Sequence, residues 1–88
     1  MTVYVFTAIS TGEVVNELDR QGVFLDEEKA KKAMFKEVKE IHKDNSYCEL
    51  VNEEVYDDEY TIVYENEDGE TTIYNGYIVE QDVKEVEE

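Results

Sequence analysis

The chain has 88 residues, of which 24 are acidic and eight are basic, so its formal net charge at pH 7 is −16. This length predicts one small domain spanning residues 1–88, and an apolar share of 41% is typical of a globular chain. So negative a protein is repelled by nucleic acid and by anionic membranes, which argues against direct binding to either and favours basic protein surfaces as partners.

The cysteine count and the apolar runs favour a cytoplasmic protein, in a host cell if the chain is phage-encoded. Cys48 is the only cysteine, so no intrachain disulfide can form. The longest mostly apolar run, residues 3–9, is far too short to span a bilayer. The N-terminus lacks a basic region before an apolar segment, so no signal peptide is predicted.

The first two predicted elements form an N-terminal hairpin. Residues 2–10 read TVYVFTAIS and predict a strand, central in its sheet because both of its faces are largely apolar. Thr11 and Gly12 predict a turn, and residues 13–18 a return strand. A loop is expected at 19–22, after which Val23 and Phe24 should anchor in the core.

The strongest pattern predicts a helix that begins after Asp26 and runs to about Lys43. Asp26 suits the N-cap, and Leu25 and Ala30 suit the two positions of a hydrophobic staple. One face of this helix carries an apolar stripe: Ala30, Met34, Val38 and Ile41. The opposite face carries a lysine stripe, interpreted as an ordinary solvated surface: Lys29, Lys32, Lys36, Lys39 and Lys43.

The rest of the chain predicts strands. Residues 46–56 and 60–65 are expected to be extended, and 66–69 form a turn from which 70–80 return, with a bulge or bend at Gly76. The tail, 81–88, is expected to fray or form a short helix. The order ββαβββ therefore predicts an α+β fold, an antiparallel sheet of about five strands with one helix on one face.

A four-residue turn at 66–69 would place Glu65 opposite Glu70 and Ile62 opposite Ile73. The face predicted to pack under the helix then comprises Tyr60, Ile62, Tyr64, Ile73, Tyr77 and Val79. The face predicted to meet solvent comprises Thr61, Val63, Glu65, Glu70, Thr72, Tyr74 and Ile78. A slip of one residue would exchange the two faces.

No residue pattern predicts catalysis, a cofactor or a metal. Carboxylates become acids or bases only with a shifted pKa and a pocket, and His42 and Cys48 are too few soft ligands for zinc. His42 suits the helix C-terminus, and Cys48 is expected to be a buried strand residue. The segment 66–70 lacks the ligand spacing of an EF-hand loop and predicts a plain hairpin turn.

The charge is concentrated in the second half of the chain. Residues 46–88 carry a net charge of −14, whereas residues 26–45 are neutral. Tyrosine is enriched in interface hot spots, so Tyr56 and Tyr74 join the acids as candidates, while most tyrosines should be structural. The predicted partner-binding residues are Glu53, Glu54, Tyr56, Asp57, Asp58, Glu59, Glu65, Glu67, Asp68, Glu70 and Tyr74.

In size and acidity the chain resembles the small nucleic-acid-mimicking inhibitors that phages and mobile elements use against host nucleases. This resemblance implies a non-enzymatic inhibitor of the anti-restriction or anti-CRISPR type, which occupies the basic nucleic-acid-binding surface of its target. The alternative is an acidic adaptor that binds through its Tyr-rich hairpin or an exposed sheet edge, or forms a homodimer there. An enzyme is the third and least favoured interpretation.

Overall fold

A computed structural model describes residues 1–12 and 16–83, and the side chains of residues 16–20 lie outside this description. The strands are β1 (Thr2–Gly12), β2 (Asn16–Phe24), β3 (Glu49–Val55), β4 (Glu59–Glu65) and β5 (Thr71–Asp82), with helix α1 (Glu27–Asp44) between β2 and β3. They form one antiparallel sheet in the order β2-β1-β5-β4-β3. The predicted α+β fold with the order ββαβββ is confirmed.

The N-terminal hairpin is longer than predicted. β1 is central, as expected, and pairs with β2 on one side and β5 on the other. Thr11 and Gly12 are strand residues that pair with β5, so the turn predicted there is wrong, and so is the loop at 19–22. Pairing with β5 extends β1 beyond its apolar stretch. The part of the predicted return strand at 13–15 lies outside the described residues.

Polar residues cap helix α1 at both ends. The Asp26 side chain accepts a hydrogen bond from the Glu28 N–H at 2.9 Å, and Asn45 is the C-cap. The predicted apolar stripe is the buried face of the helix. The hydrophobic staple is wrong because Leu25 is 70% exposed, and Val23 does not anchor in the core because it points away from the helix. Phe24, its neighbour, packs against the core as predicted.

The core lies between α1 and one face of the sheet. Phe6, Met34 and Ile62 are its largest fully buried side chains, from β1, α1 and β4. The helix lies over β1, β2 and β5. β3 is the outermost strand beyond β4, and its residues are exposed except for half-buried Val55.

The register of the β4–β5 hairpin differs by one residue from the prediction. Ile62 pairs with Tyr74 and Glu65 with Thr71, because the connecting loop has five residues, Asn66 to Glu70, rather than four. The β4 half of the predicted core face is confirmed, since Tyr60, Ile62 and Tyr64 are buried. The β5 half is wrong: Tyr74 and Ile78 pack against the core, whereas the side chains predicted there are exposed, namely Ile73, Tyr77 and Val79.

Gly76 does not form a bulge, but it leaves space for the ring of Tyr60. It pairs directly with Tyr60, and the register of β5 is continuous through it. A Cβ at this position would lie 2.1 Å from Cε1 of Tyr60. The predicted bulge or bend is therefore wrong, and this glycine lets a tyrosine ring lie on the backbone of the neighbouring strand.

Two predictions at the ends of elements also need correction. Cys48 is half-buried and packs against the core, but it precedes β3 rather than lying in a strand. Gln81 and Asp82 belong to β5 rather than to a frayed tail, and Asp82 accepts a hydrogen bond from Thr2 at 3.1 Å. Residues 84–88 lie outside the described residues.

Candidate acidic binding surface

The loop between β3 and β4 carries a first acidic cluster, defined as Glu54, Asp57, Asp58 and Glu59. The Tyr56 N–H donates to the Glu59 carbonyl at 2.8 Å and closes the loop. The Ile78 N–H donates to the Asp58 carbonyl at 2.8 Å and joins the loop to β5. These carboxylates are exposed, as is Tyr56 at 55%. The cluster is therefore held on hydrogen-bonded backbone.

The loop between β4 and β5 carries a second acidic cluster, defined as Glu65, Glu67, Asp68 and Glu70. The Asn66 side chain accepts from the N–H groups of Asp68 at 3.0 Å and Glu70 at 2.9 Å. Gly69 has a φ of 80°, which glycine adopts without steric cost. An Asx-type turn thus fixes the backbone that bears these acids.

The two clusters stand at opposite ends of β4. Glu59 and Glu65 are the first and last residues of this strand, and the six steps between them correspond to about 20 Å at the usual rise per residue. The structure therefore divides most of the predicted binding acids into two groups. Glu53 belongs to neither group, because it pairs with Ile62 near the middle of β4 and lies on the helix side of the sheet.

Glu49 adds to the second cluster and was missing from the predicted site. It pairs directly with Glu65 across β3 and β4. Like charges in directly opposite positions repel. The register of β3 could not be read from the sequence because an irregularity between Leu50 and Asn52 interrupts the alternation.

Within the described residues, no lysine or arginine forms a salt bridge with the carboxylates of residues 46–83. This segment contains twelve acidic residues and no basic one. The Lys31–Glu27 ion pair, at 2.9 Å, lies within the helix. Lys31 is an electrostatic neighbour of Asp57 and lines a pocket with Asp58, but it forms its salt bridge with Glu27. Apart from half-buried Glu65, the acids of both clusters are exposed.

Glu53 takes part in a polar contact that joins the helix to the sheet. Nε2 of His42 lies 3.2 Å from its carboxylate, and Nδ1 of His42 contacts the Tyr64 hydroxyl. Burial and then the Glu53 charge raise the pKa of Tyr64 above its usual value. A phenol with a raised pKa is a poor base or nucleophile at neutral pH, so the arrangement supports a structural role that the sequence did not reveal.

Tyr74 also serves the core rather than the surface. Its ring packs against the buried cluster, and its hydroxyl accepts a hydrogen bond from the Asn45 side chain at 3.1 Å. The predicted solvent-facing position of Tyr74 is therefore wrong because of the register difference. Of the two tyrosines singled out, only Tyr56 is largely exposed.

The side of the sheet that faces away from α1, here called the open face, is apolar at its centre. Strand alternation places eight apolar side chains of the described residues there: Val3, Val5, Ile9, Val23, Val63, Ile73, Tyr77 and Val79. Tyr77 is 41% exposed and Val79 is 48% exposed. Glu54, Glu59, Glu65 and Glu49 point to the same side and border this centre along β3 and β4. No sequence pattern revealed this face, because one residue of register exchanges the two faces of β5.

The described residues also form a shallow pocket of about 170 Å³, lined by Tyr4, Glu27, Lys31, Asp58, Ile78 and Glu80. Burial, followed by the charge of Glu80, raises the pKa of Tyr4. Among the described residues no three His, Cys, Asp or Glu side chains come together in a way that could hold a metal ion. No helix in that part of the chain has the length and apolar character needed to cross a membrane.

Comparisons of the chain with protein-family models, curated proteins and solved structures found no match. Function is therefore inferred from the chemistry of the described surface.

Proposed function

We propose that this chain is a non-enzymatic acidic binding protein that occupies the basic nucleic-acid-binding surface of a nuclease or defence complex. The observation that carries the proposal is the run of twelve acidic residues without a basic one over residues 46–83. All of these residues but half-buried Glu65 are exposed, and among the described residues their carboxylates form no salt bridge with a lysine or arginine. Grooves that bind nucleic acid are lined with Lys and Arg and attract such a surface.

The spacing of the acidic clusters suits a groove rather than a point contact. The roughly 20 Å between the ends of β4 equals the rise of about six base pairs, since duplex DNA rises about 3.4 Å per base pair. One acidic strand is sparser in charge than a duplex. Two clusters on adjacent hairpins present several carboxylates at each end of this distance, so they can meet basic groups at two places in a groove.

The helix fixes which side of the molecule can approach such a partner. The lysines of its outer stripe are exposed, including Lys32 and Lys36. A basic partner would be attracted by the hairpins and not by the helix, whose residues 26–45 have no net charge, so binding should be oriented with the helix outward.

Capture on the immobilised full chain tests the proposed function. We expect a retained protein to bind nucleic acid by itself and to be displaced from the chain by duplex DNA or RNA. Its affinity for the chain should fall by about tenfold or more when NaCl is raised from low to high concentration. A retained protein that resists both salt and nucleic acid would refute the proposal.

The open face favours a second candidate function, an acidic adaptor whose binding depends on apolar contacts. Its exposed apolar centre is the specific observation, since such patches mark interaction sites. The two functions differ in their response to substitution. Charge reversal by Glu65→Lys should weaken an inhibitor of the proposed kind most strongly, whereas Val63→Ala should matter more in an adaptor.

A further inference from the structure

We infer that the open face is the docking surface and that its occupant is a basic protein surface with an apolar centre. This inference rests on the proposed function, because it takes the partner to be basic. It adds that the partner binds the open face and that the partner's surface must carry apolar side chains as well as positive charge. The apolar centre and the acidic border lie side by side on one face of the sheet, so one partner can contact both.

The centre of the open face is continuous across three strands. Val5 pairs with Val79 between β1 and β5, and Val63 pairs with Ile73 between β4 and β5. Ile73, Tyr77 and Val79 are all at least 36% exposed. Neighbouring exposed apolar side chains on a rigid sheet form a patch whose burial is favourable on binding. Tyr77 adds a large ring with a polar tip, which suits an interface.

The charge around this centre distinguishes between possible occupants. Glu54, Glu59 and Glu65 border it on the β3–β4 side, and the whole chain has a net charge of −16. Two copies meeting through their open faces would bring these borders and their net charges together, which is unfavourable. A partner with Lys or Arg beside an apolar stripe instead complements both parts of the face. Charge complementarity thus selects a basic, amphipathic protein surface.

Two synthetic peptides can test this inference on the full chain. The first is a short helical peptide of leucine and lysine with its leucines on one face, and the second has every leucine replaced by serine. The readout is the affinity together with the methyl NMR signals of the protein. We expect the leucine peptide to bind about tenfold or more tightly than the serine peptide. It should shift the methyl signals of Val5, Ile9, Ile73 and Val79 but not those of Val38 and Ile41 in the core.

Conservative substitutions provide the matched variants. Ile73→Thr combined with Val79→Thr keeps β-branched side chains on exposed strand positions but removes apolar surface. It should abolish the preference for the leucine peptide. Val51→Thr is the control, since Val51 is 55% exposed at the irregularity in β3, outside the apolar centre. This control should retain the preference.

The remaining outcomes separate the inference from the proposed function. Equal binding of both peptides, with unchanged open-face methyl signals, would overturn the inference and leave the proposed function standing. Failure of both peptides to bind would count against the proposed function as well. Concentration-dependent shifts of the open-face methyl signals, with a dimer in sedimentation, would identify a second copy as the occupant and overturn the inference.

Discussion

Tyr60 and Gly76 show how one absent side chain determines which faces of a sheet are covered. The Tyr60 ring is buried and lies where a Cβ of residue 76 would be. This pair requires the observed register, in which Tyr74 and Ile78 point towards the helix. The same register turns Tyr77 outward, so a contact in the core decides which tyrosine is available on the open face.

Replacing Gly76 by alanine should destabilise the fold. The new methyl group would force the buried Tyr60 ring to move, and overpacking of this kind typically costs about 1–3 kcal/mol of unfolding free energy. Denaturant unfolding measures the effect. Gln81→Ala, at an exposed position of the same strand, is the control and should change stability much less. An unchanged midpoint for Gly76→Ala would contradict the packing described for this pair.

Tyr64 should contribute to the loss of stability at alkaline pH. Its pKa is raised in the folded state by burial and by Glu53, so the folded state holds the phenolic proton more tightly than the unfolded state does. The resulting stabilisation is present below the unfolded tyrosine pKa of about 10 and is lost as pH rises through the folded value. Unfolding free energies measured from pH 8 upward should fall less steeply in Tyr64→Phe. Parallel curves for the two proteins would argue against this role.

At the scale of elements, the sequence predicted the structures that depend on neighbouring residues alone. Asp26, the apolar stripe of the helix and the turn at 66–69 indicated the helix and the last hairpin. The register of that hairpin depended on whether Glu70 belonged to the loop, and the hydrogen bonds of Asn66 decide this. The open face could not be read from the sequence because one residue of register exchanges the faces of β5.

The loop between β4 and β5 should depend on Gly69. Its φ of 80° lies in the left-handed region, where a residue with a Cβ pays about 1–2 kcal/mol. Gly69→Ala should therefore lower the unfolding free energy by roughly that amount. Glu67→Ala in the same loop is the control and should leave stability unchanged or slightly higher, since it removes a negative charge. Equal stability of Gly69→Ala and the parent protein would contradict the turn geometry.

At the scale of the whole molecule, the concentration of negative charge lowers stability, whereas in the proposed function it attracts a basic partner. Twelve carboxylates over residues 46–83 repel one another, and the directly opposed Glu49 and Glu65 are a specific case. Six lysines lie on the helix and balance only the six acids of residues 26–45, so the charge of the hairpins is left in excess. In the proposed function, a basic partner would neutralise these carboxylates on binding.

Salt should stabilise the free protein, because it screens this repulsion. The unfolding free energy should rise between low and high NaCl concentration. At low salt, Glu49→Gln should be more stable than the parent protein by about 0.2–1 kcal/mol, and the difference should shrink as salt is added. Glu28→Gln on the helix, away from the opposed pair, is the control. A Glu49→Gln protein less stable than its parent would show that the pair does not repel.

The most direct test of the central claim is competition between the purified full chain and duplex DNA for the protein that the chain captures, measured as a function of salt. The proposed function predicts that duplex DNA displaces the chain from this partner and that the affinity falls steeply with NaCl. Simultaneous binding of the chain and the DNA, with an affinity independent of salt, would contradict it.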